Sequence, residues 1–392
     1  MTSTPPSGLT TEYPITVLLI DDQLIVGEAL RRMLAEEKDI RFHYCADPTK
    51  ALDMAKQVSP TVILQDLVMP QMDGLVLVKA FRANTDTAQI PLIVLSSKEE
   101  PKTKADAFAF GANDYMVKLP DRLEVLARIR YHSKGYINLL QRNTAYNALE
   151  ASQKLLAEDL AHAAEYVESL LPQPLKDTVT ASTIYVPSMQ LGGDACGYHW
   201  QDDRHLAIYL LDVCGHGVGA ALLSVSVLNI LRAHALPGVD FKQPEQVLAA
   251  LNEAFQMEKH NDMYFTLWYG VYDKETRALV CASGGHPPAI LINGKDITQL
   301  MPPGAIVGGW AEAKYKAMTV SVPQGSKLYV FSDGIFEIEK PDGKFWSLEE
   351  FIDLLSEKAA QNKDNKWLTE RLRELRGKEM FDDDISFMEL LF

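Results

Sequence analysis

Basic regions are missing from this chain of 392 residues, as are paired cysteines and long apolar runs. Lys and Arg number 38 against 53 Asp and Glu, a formal charge of −15. No segment reverses the sign: 12 basic residues stand against 17 acidic over 1–121, six against six over 122–171, and 20 against 30 over 172–392. A large nucleic-acid footprint needs clustered cations to neutralise phosphates, so no nucleic-acid partner is expected. The four cysteines, Cys45, Cys196, Cys214 and Cys281, form no CxxC pair and keep no His at zinc-site spacing. Neither a disulfide framework nor a zinc site is indicated, and a cytoplasmic setting is the expectation. No run approaches the roughly 20 apolar residues that span a bilayer, so no membrane partner is expected. The Thr-, Ser- and Pro-rich start lacks the basic-then-apolar order of a signal peptide, and residues 1–13 read as disordered. The length suits two domains better than one core.

What is there begins with short apolar runs at Val17–Ile20, Thr61–Leu64, Pro91–Leu95 and Tyr115–Val117, separated by amphipathic segments at Leu24–Ala35, Pro48–Gln57, Leu75–Ala83 and Pro101–Phe110. Continuous apolar strands alternating with helices predict a doubly wound parallel sheet, with its site at the carboxyl ends of the strands. Those ends carry Asp21-Asp22, Asp66, Ser96 and Lys118. Three carboxylates on one edge repel unless they share a hard cation such as Mg2+. An Asp so placed can accept a phosphoryl group whose oxygens a Lys and a hydroxyl neutralise.

Residues 14–121 resemble a response-regulator receiver domain, a fold with a five-stranded parallel sheet. The resemblance rests on Leu64-Gln65-Asp66-Leu67-Val68-Met69-Pro70-Gln71-Met72-Asp73-Gly74 and on the gaps of 30 and 52 residues from Asp66 to Ser96 and Lys118. It implies that Asp66 is the phosphoacceptor and that Asp21, Asp22 and Asp66 hold Mg2+. It further implies that Ser96 and Lys118 bind the phosphoryl group, that Tyr115 is the switch aromatic, and that a sensor histidine kinase is the partner. The sequence departs at Lys118-Leu119-Pro120, where the family usually sets Pro directly after Lys.

From Asp121 to about Leu171 the one Gly or Pro is Gly135, which predicts a long helical stalk over 122–171 that Pro172 and Pro174 stop. Tyr146, Leu149, Gln153, Leu156, Leu160, Ala163, Val167 and Leu170 alternate gaps of three and four, a coiled-coil seam that predicts a homodimer. The stalk is basic from Arg122 to Arg142 and acidic from Glu150 to Glu168, which leaves parallel and antiparallel pairing open.

Beyond the stalk, alternating runs at His205–Leu211, Tyr264–Tyr272, Leu279–Ser283, Ala289–Ile292, Ala317–Val322, Lys327–Phe331 and Asp384–Leu391 read as strands, the fourth turning at Asn293-Gly294. Helices fit Val218–Ala233, Pro244–Met257 and Leu348–Lys358. The pattern predicts an α+β domain built on an antiparallel β-sandwich. Its strand ends carry Gly192-Gly193-Asp194, Asp212-Val213-Cys214-Gly215-His216-Gly217, Ser332-Asp333-Gly334 and Asp382-Asp383-Asp384. Carboxylates beside glycines, with no His or Cys ligand close in sequence, suit Mg2+ or Mn2+.

Residues 172–392 are similar to the stage-II-sporulation-E and RsbU-like branch of the protein phosphatase 2C (PPM) superfamily. The similarity is carried by those motifs, by Ser283-Gly284-Gly285-His286-Pro287-Pro288 and by Asp383-Asp384-Ile385-Ser386. It implies a two-metal centre, with Mg2+ or Mn2+, in which Asp212 bridges. Asp194 and the Val213 carbonyl serve one ion, Asp333 and Asp383 the other, and metal-bound hydroxide attacks phosphoserine or phosphothreonine with His216 as a possible general acid. Gly197 and Cys214 stand where the family commonly has Asp and Ser. The family's substrate is typically an anti-sigma-factor antagonist. The overall architecture also resembles the RssB family, which leaves open an alternative: a non-enzymatic adaptor that binds a sigma factor or its regulator. A nucleotide cyclase is excluded, because Ala195-Cys196 follows Gly-Gly-Asp in place of its Glu-Phe.

Overall fold

The computed structural model describes residues 13–97, 101–118, 120–341, 343–359, 365–377 and 381–392. Except for Tyr13, the expected disordered N-terminus lies outside them, as does Leu119. The chain folds into two compact units that divide within a long helix, at Lys154 and Leu155.

In the first unit, strands β1 (Ile15–Ile20), β2 (Ile40–Cys45), β3 (Val62–Asp66), β4 (Leu92–Ser96) and β5 (Asp114–Val117) form one parallel sheet in the order β2-β1-β3-β4-β5. Helices α1 (Leu24–Leu34), α2 (Ala51–Val58), α3 (Gly74–Ala83), α4 (Pro101–Ala109) and α5 (Arg122–Ser169) connect and follow them. Alternate residues of the central strands feed two cores, as a sheet buried on both faces requires. Leu18, Ile63 and Val94 pack with α2, α3 and α4, whereas Val17, Leu19, Ile93 and Leu95 pack with α1 and with Val125 and Ile129 of α5. The β2 strand is absent from the apolar runs of the sequence because it is an edge strand, half-buried, with Arg41 and His43 in Ile-Arg-Phe-His-Tyr-Cys.

The first turns of α5 are tied to this unit. Arg122 pairs with Glu36 and Glu37, Arg130 with Glu37 and Asp39, and Arg128 and His132 with Asp114. The buried hydroxyls of Ser133 and Thr61 lie 2.9 Å apart. Every residue from Gln141 to Asp159 is exposed.

The second unit contains β6 (Leu175–Lys176), β7 (Thr180–Val186), β8 (Ala195–Trp200), β9 (His205–Val213), α6 (Val218–Ala233), α7 (Pro244–Ala254), β10 (Phe265–Asp273), β11 (Ala278–Gly284), β12 (Ala289–Asn293), β13 (Asp296–Leu300), β14 (Met318–Ser321), β15 (Lys327–Phe331), α8 (Leu348–Ala359), α9 (Lys366–Arg376) and β16 (Ile385–Leu391). One antiparallel sheet has the order β8-β9-β10-β11-β14, the other β13-β12-β15-β16-β7-β6. Their facing sides make one core: Cys196, Ile208, Leu210 and Trp268 from the first, Leu328, Val330, Met388 and Leu390 from the second. The outer sides bury α6 and α7 against Tyr209, Leu211 and Tyr269, and α8 and α9 against Tyr329, Phe331 and Phe387. This is a four-layer helix–sheet–sheet–helix sandwich. Leu170, just past α5, packs on the α6 core, and the Arg232 guanidinium donates to its carbonyl.

Candidate functional site

In the first unit the strand order decides which residues meet. β1 and β3 are neighbours, so Asp21 and Asp22, just after β1, come up against Asp66 at the last position of β3. One ligand oxygen from each of the three lies within 4.8 Å of the others. Lys118, just after β5, reaches back with Nζ 2.7 Å from Asp66 Oδ2 and 3.0 Å from Asp21 Oδ2. Burial pushes the Asp21 carboxyl up, against the opposing pull of the Gln23 backbone N–H and Lys118. Burial alone would lower the Lys118 ammonium, but its bonds to Asp66 and Asp21 outweigh that and hold it raised. One ammonium leaves three carboxylates undercompensated, and Asp22 Oδ1 is buried without a hydrogen-bond partner. The donor set therefore fits a hard divalent cation.

A cleft of about 380 Å³ opens over Asp66, lined among others by Ser96, Thr103 and Lys118. Ser96 ends β4, and its carbonyl accepts from the Lys118 backbone N–H at 2.8 Å. Tyr115 is buried, with Lys104 Nζ 5.5 Å from its ring centroid. The Asp73-Gly74 pair of the motif has a local cause. Asp73 caps α3 by accepting from Leu75 N–H at 2.8 Å, and a Cβ on Gly74 would lie 2.6 Å from the Asp66 carbonyl oxygen.

In the second unit the site lies at one end of the core between the two sheets. Strand side chains alternate, so Asp212 continues the inward set Ile208, Leu210 by one step, and Asp194 does the same for Tyr198, Cys196. The β8–β9 register pairs Ala195 with Leu211 and so sets Asp194 opposite Asp212, a like-charge neighbour that is unfavourable by itself. From the facing sheet Ser332 and Ser386 continue Val330 and Met388 inward, with Asp333, Asp383 and Asp384 at the same end.

Burial, then Asp333 and Asp383, push the Asp212 carboxyl up to about 7. Burial, then Asp212 and Asp384, push Asp194 well above the carboxylate range, and burial likewise raises Asp333 and Asp383. Asp194 Oδ2 and Asp333 Oδ1 are buried without a partner, as are the hydroxyls of Thr266 and Ser386. No basic side chain is ion-paired to any of the four carboxylates among the described residues. Such a donor set fits divalent cations better than an empty polar cavity. The carboxylates are spread more widely than the receiver trio, the one group of three whose ligand atoms lie within 4.8 Å among the described residues. Glycines make room: a Cβ on Gly193 would lie 2.8 Å from the Val213 carbonyl oxygen. Gly197 stands on the other face of β8, under the Tyr209 ring, so its departure from the family pattern leaves the inward row intact. His216 is exposed, and its charge acts on Asp383. His286 is buried, with Nδ1 3.1 Å from the Pro287 carbonyl.

Asp384 stands in two of the sequence motifs but has no role assigned from sequence. Its carboxylate is buried and accepts from Ser188 N–H at 2.8 Å, Ser188 Oγ at 2.9 Å, Gly193 N–H at 2.6 Å and Asp194 N–H at 3.4 Å. It thereby fixes the Gly192-Gly193-Asp194 loop across some 190 residues of sequence. The available signal was its parity with Ser386, Met388 and Leu390 on the inward face.

Residues 17–130 match the response regulator receiver domain family, and residues 202–391 match the stage II sporulation protein E (SpoIIE) family. The phosphoserine phosphatase RsbU of Bacillus subtilis is 27% identical over 203 residues, covering 50% of this chain and 59% of that protein. The phosphoserine phosphatase RsbP of Bacillus subtilis is 25% identical over 185 residues, 46% of this chain and 45% of its own. The chain thus spans less than two thirds of the length of either relative. Among solved structures, the PP2C domain of SiaA from Pseudomonas aeruginosa superposes with a TM-score of 0.55 at 23% identity, over 62% of this chain and 98% of that one. The chain therefore joins a response-regulator receiver domain to a SpoIIE-family output domain with the PP2C fold.

Proposed function

We propose that the chain is a metal-dependent protein serine/threonine phosphatase governed by phosphorylation of Asp66. The observation that carries this reading is the inward row of Asp194 and Asp212, facing Asp333 and Asp383 across the end of the sandwich core. Asp212 sits centrally, Asp194 and the Val213 carbonyl hold one divalent cation, and Asp333 and Asp383 hold a second. Two ions bound there, Mg2+ or Mn2+, supply Lewis acidity at phosphorus and an activated water. Around them the protein's own groups divide the work. Asp384 fixes the loop that bears Asp194, the apolar core below excludes water, and exposed His216 stands at the rim where a departing serine oxygen needs a proton.

In the receiver, Asp66 takes a phosphoryl group from a sensor histidine kinase, Asp21, Asp22 and Asp66 hold Mg2+, Ser96 and Lys118 take the phosphoryl oxygens, and Tyr115 reads the change. The substrate is a phosphorylated protein, an anti-sigma-factor antagonist, so that the output is sigma-factor availability. The antagonist assignment rests on the family resemblance, and the two relatives named as phosphoserine phosphatases support the phosphoserine chemistry.

Residues 14–121 form the input, 122–171 the stalk and 172–392 the output, and the stalk pairs two copies through the exposed part of its seam, Tyr146 to Leu156. Arg122, Arg128 and Arg130 in the basic half of α5 are ion-paired to carboxylates of the first unit, which leaves Lys134, Arg142 and the charges of 145–168 for interchain contact. With Tyr146, Gln153, Leu160 and Val167 at heptad position a, a parallel pair sets Ala145 against Glu150, Ser152 against Ala157 and Asp159 against Ala164. No like charges meet at these three positions, so charge there does not oppose a parallel pair, and the orientation stays open between parallel and antiparallel.

The test is Mn2+-dependent hydrolysis of a phosphoserine peptide by the full chain. Wild type is expected to turn over and Asp212→Asn to lose at least about 100-fold in kcat while remaining folded. An inactive wild type, with and without receiver activation, overturns the enzyme reading.

A further inference from the structure

The inward row of the first sheet does not end at Asp212. The β9–β10 register sets Thr266 directly opposite it, one step beyond Trp268 on the same face. Across three adjacent strands the row therefore reads Asp194, Asp212, Thr266. Directly opposed strand residues hold their Cβ atoms about 4.5–5.5 Å apart, within reach of one side-chain hydrogen bond. Thr266 Oγ1 is buried and has no hydrogen-bond partner. A strand threonine turned to an apolar core normally satisfies its hydroxyl on a neighbouring carbonyl, and leaving it orphaned is destabilising. The register thus places a buried, unpartnered hydroxyl on the residue directly opposite Asp212, and it makes no hydrogen bond elsewhere.

We propose that Thr266 is a positioning residue of the output site, whose hydroxyl donates to the Asp212 carboxylate and fixes its rotamer when that carboxylate carries divalent cations. The inference rests on the proposed two-cation reading of the site. Physically, a carboxylate serving two cations needs both oxygens aimed at once, and a donor on one edge removes the alternative rotamers. Groups that orient ligands in this way commonly change metal affinity 10–100-fold when removed. Thr266 is not assigned a contact with substrate, so its loss acts on cation binding first and on turnover at saturating cation much less.

The experiment uses the full chain with Asp21→Ala and Asp22→Ala, which remove the receiver's cation ligands and serve as the wild-type reference here, and three variants of it, Thr266→Val, Thr266→Ser and Thr266→Ala, with Mn2+ binding followed by titration calorimetry and thermal unfolding recorded without metal. Valine keeps the shape and removes the hydroxyl; serine keeps the hydroxyl. Thr266→Val is expected to weaken Mn2+ binding about tenfold with the metal-free melting temperature held or raised, and Thr266→Ser to bind within about twofold of wild type. Should the valine variant fail to fold, Thr266→Ala carries the same expectation. Mn2+ binding by Thr266→Val within twofold of wild type overturns the proposal, as does equal weakening in the valine and serine variants. A wild type that binds no Mn2+ overturns the underlying cation reading, and the two failures are thereby told apart.

Discussion

At the scale of single residues, burial in the output domain raises the carboxyls of Asp194 and Asp212 and lowers the imidazoles of His199 and His286, so their protonation differs between folded and unfolded chains. His286 is an example away from the carboxylate row. Its ring is enclosed in the Ser283–Pro288 turn, its backbone N–H lies 3.2 Å from Ser283 Oγ, and burial pushes its imidazole down to about 4. The unfolded chain protonates near 6.5, so the folded state binds fewer protons between those values. The stabilisation is complete above pH 6.5 and is lost as pH falls through 4. Wild type is therefore expected to lose about 2 kcal/mol between pH 7 and pH 5 that His286→Gln does not lose. Urea unfolding at the two values measures this; parallel losses in both proteins contradict it.

Asp66, Lys118 and Asp212 were legible from sequence because each sits beside a strand end with a distinctive neighbour pattern. Asp384 and Thr266 were not. Asp384 is visible as a member of a strand-end motif but its role is not, a Thr inside a strand carries no local mark, and the significance of both comes from pairing with segments far along the chain.

At the scale of elements, α5 is the informative case. Its first turns are buried and ion-paired, and then Gln141–Asp159 stands in solvent on every side. An isolated helix of this length with Tyr146, Leu149, Leu155 and Leu156 all exposed lacks the apolar burial that usually stabilises helices. The proposed pairing along the seam would supply it for Tyr146, Leu149 and Leu156. Leu149→Ser with Leu156→Ser is expected to raise the dimer dissociation constant at least about tenfold, read by sedimentation; each buried leucine contributes about 1.5–3 kcal/mol of transfer energy. A wild type that sediments as a monomer in both phosphorylation states overturns the pairing.

The stalk, the helices of the receiver and the apolar central strands were readable because their periodicity is strong. The strands β2, β7, β8 and β13 were not, since edge position or half burial mixes polar residues into them, as in the exposed Asp-Ile-Thr-Gln of β13. Helix α9 was hidden by its strongly polar composition, Lys-Trp-Leu-Thr-Glu-Arg-Leu-Arg-Glu-Leu-Arg, in which Leu368 and Leu372 alone are fully buried in the α9 core contact.

At the scale of the whole molecule, one chain carries two carboxylate sites of different construction. The receiver trio is tight and already holds an ammonium; the output row is wider and, among the described residues, has no basic side chain ion-paired to it. Coupling between them predicts that beryllofluoride with Mg2+, a mimic of the acyl phosphate, changes the phosphatase rate of wild type severalfold and leaves Asp66→Ala unchanged. An equal response in both proteins refutes control through Asp66. Among the described residues no helix is long and apolar enough to cross a membrane.

By itself the sequence determined the order of parts, the alternation of strands and helices, the stalk and the acidic residues at strand ends, because these are local properties of composition and period. The tertiary structure decided which of those acids meet. Strand order brought Asp21 and Asp22 to Asp66, antiparallel register set Asp194 and Thr266 on either side of Asp212, and the packing of two sheets carried Asp333, Asp383 and Asp384 to the same end of one core. Proximity between residues more than a hundred positions apart depends on pairing and packing, and neither is a property of any short stretch of chain.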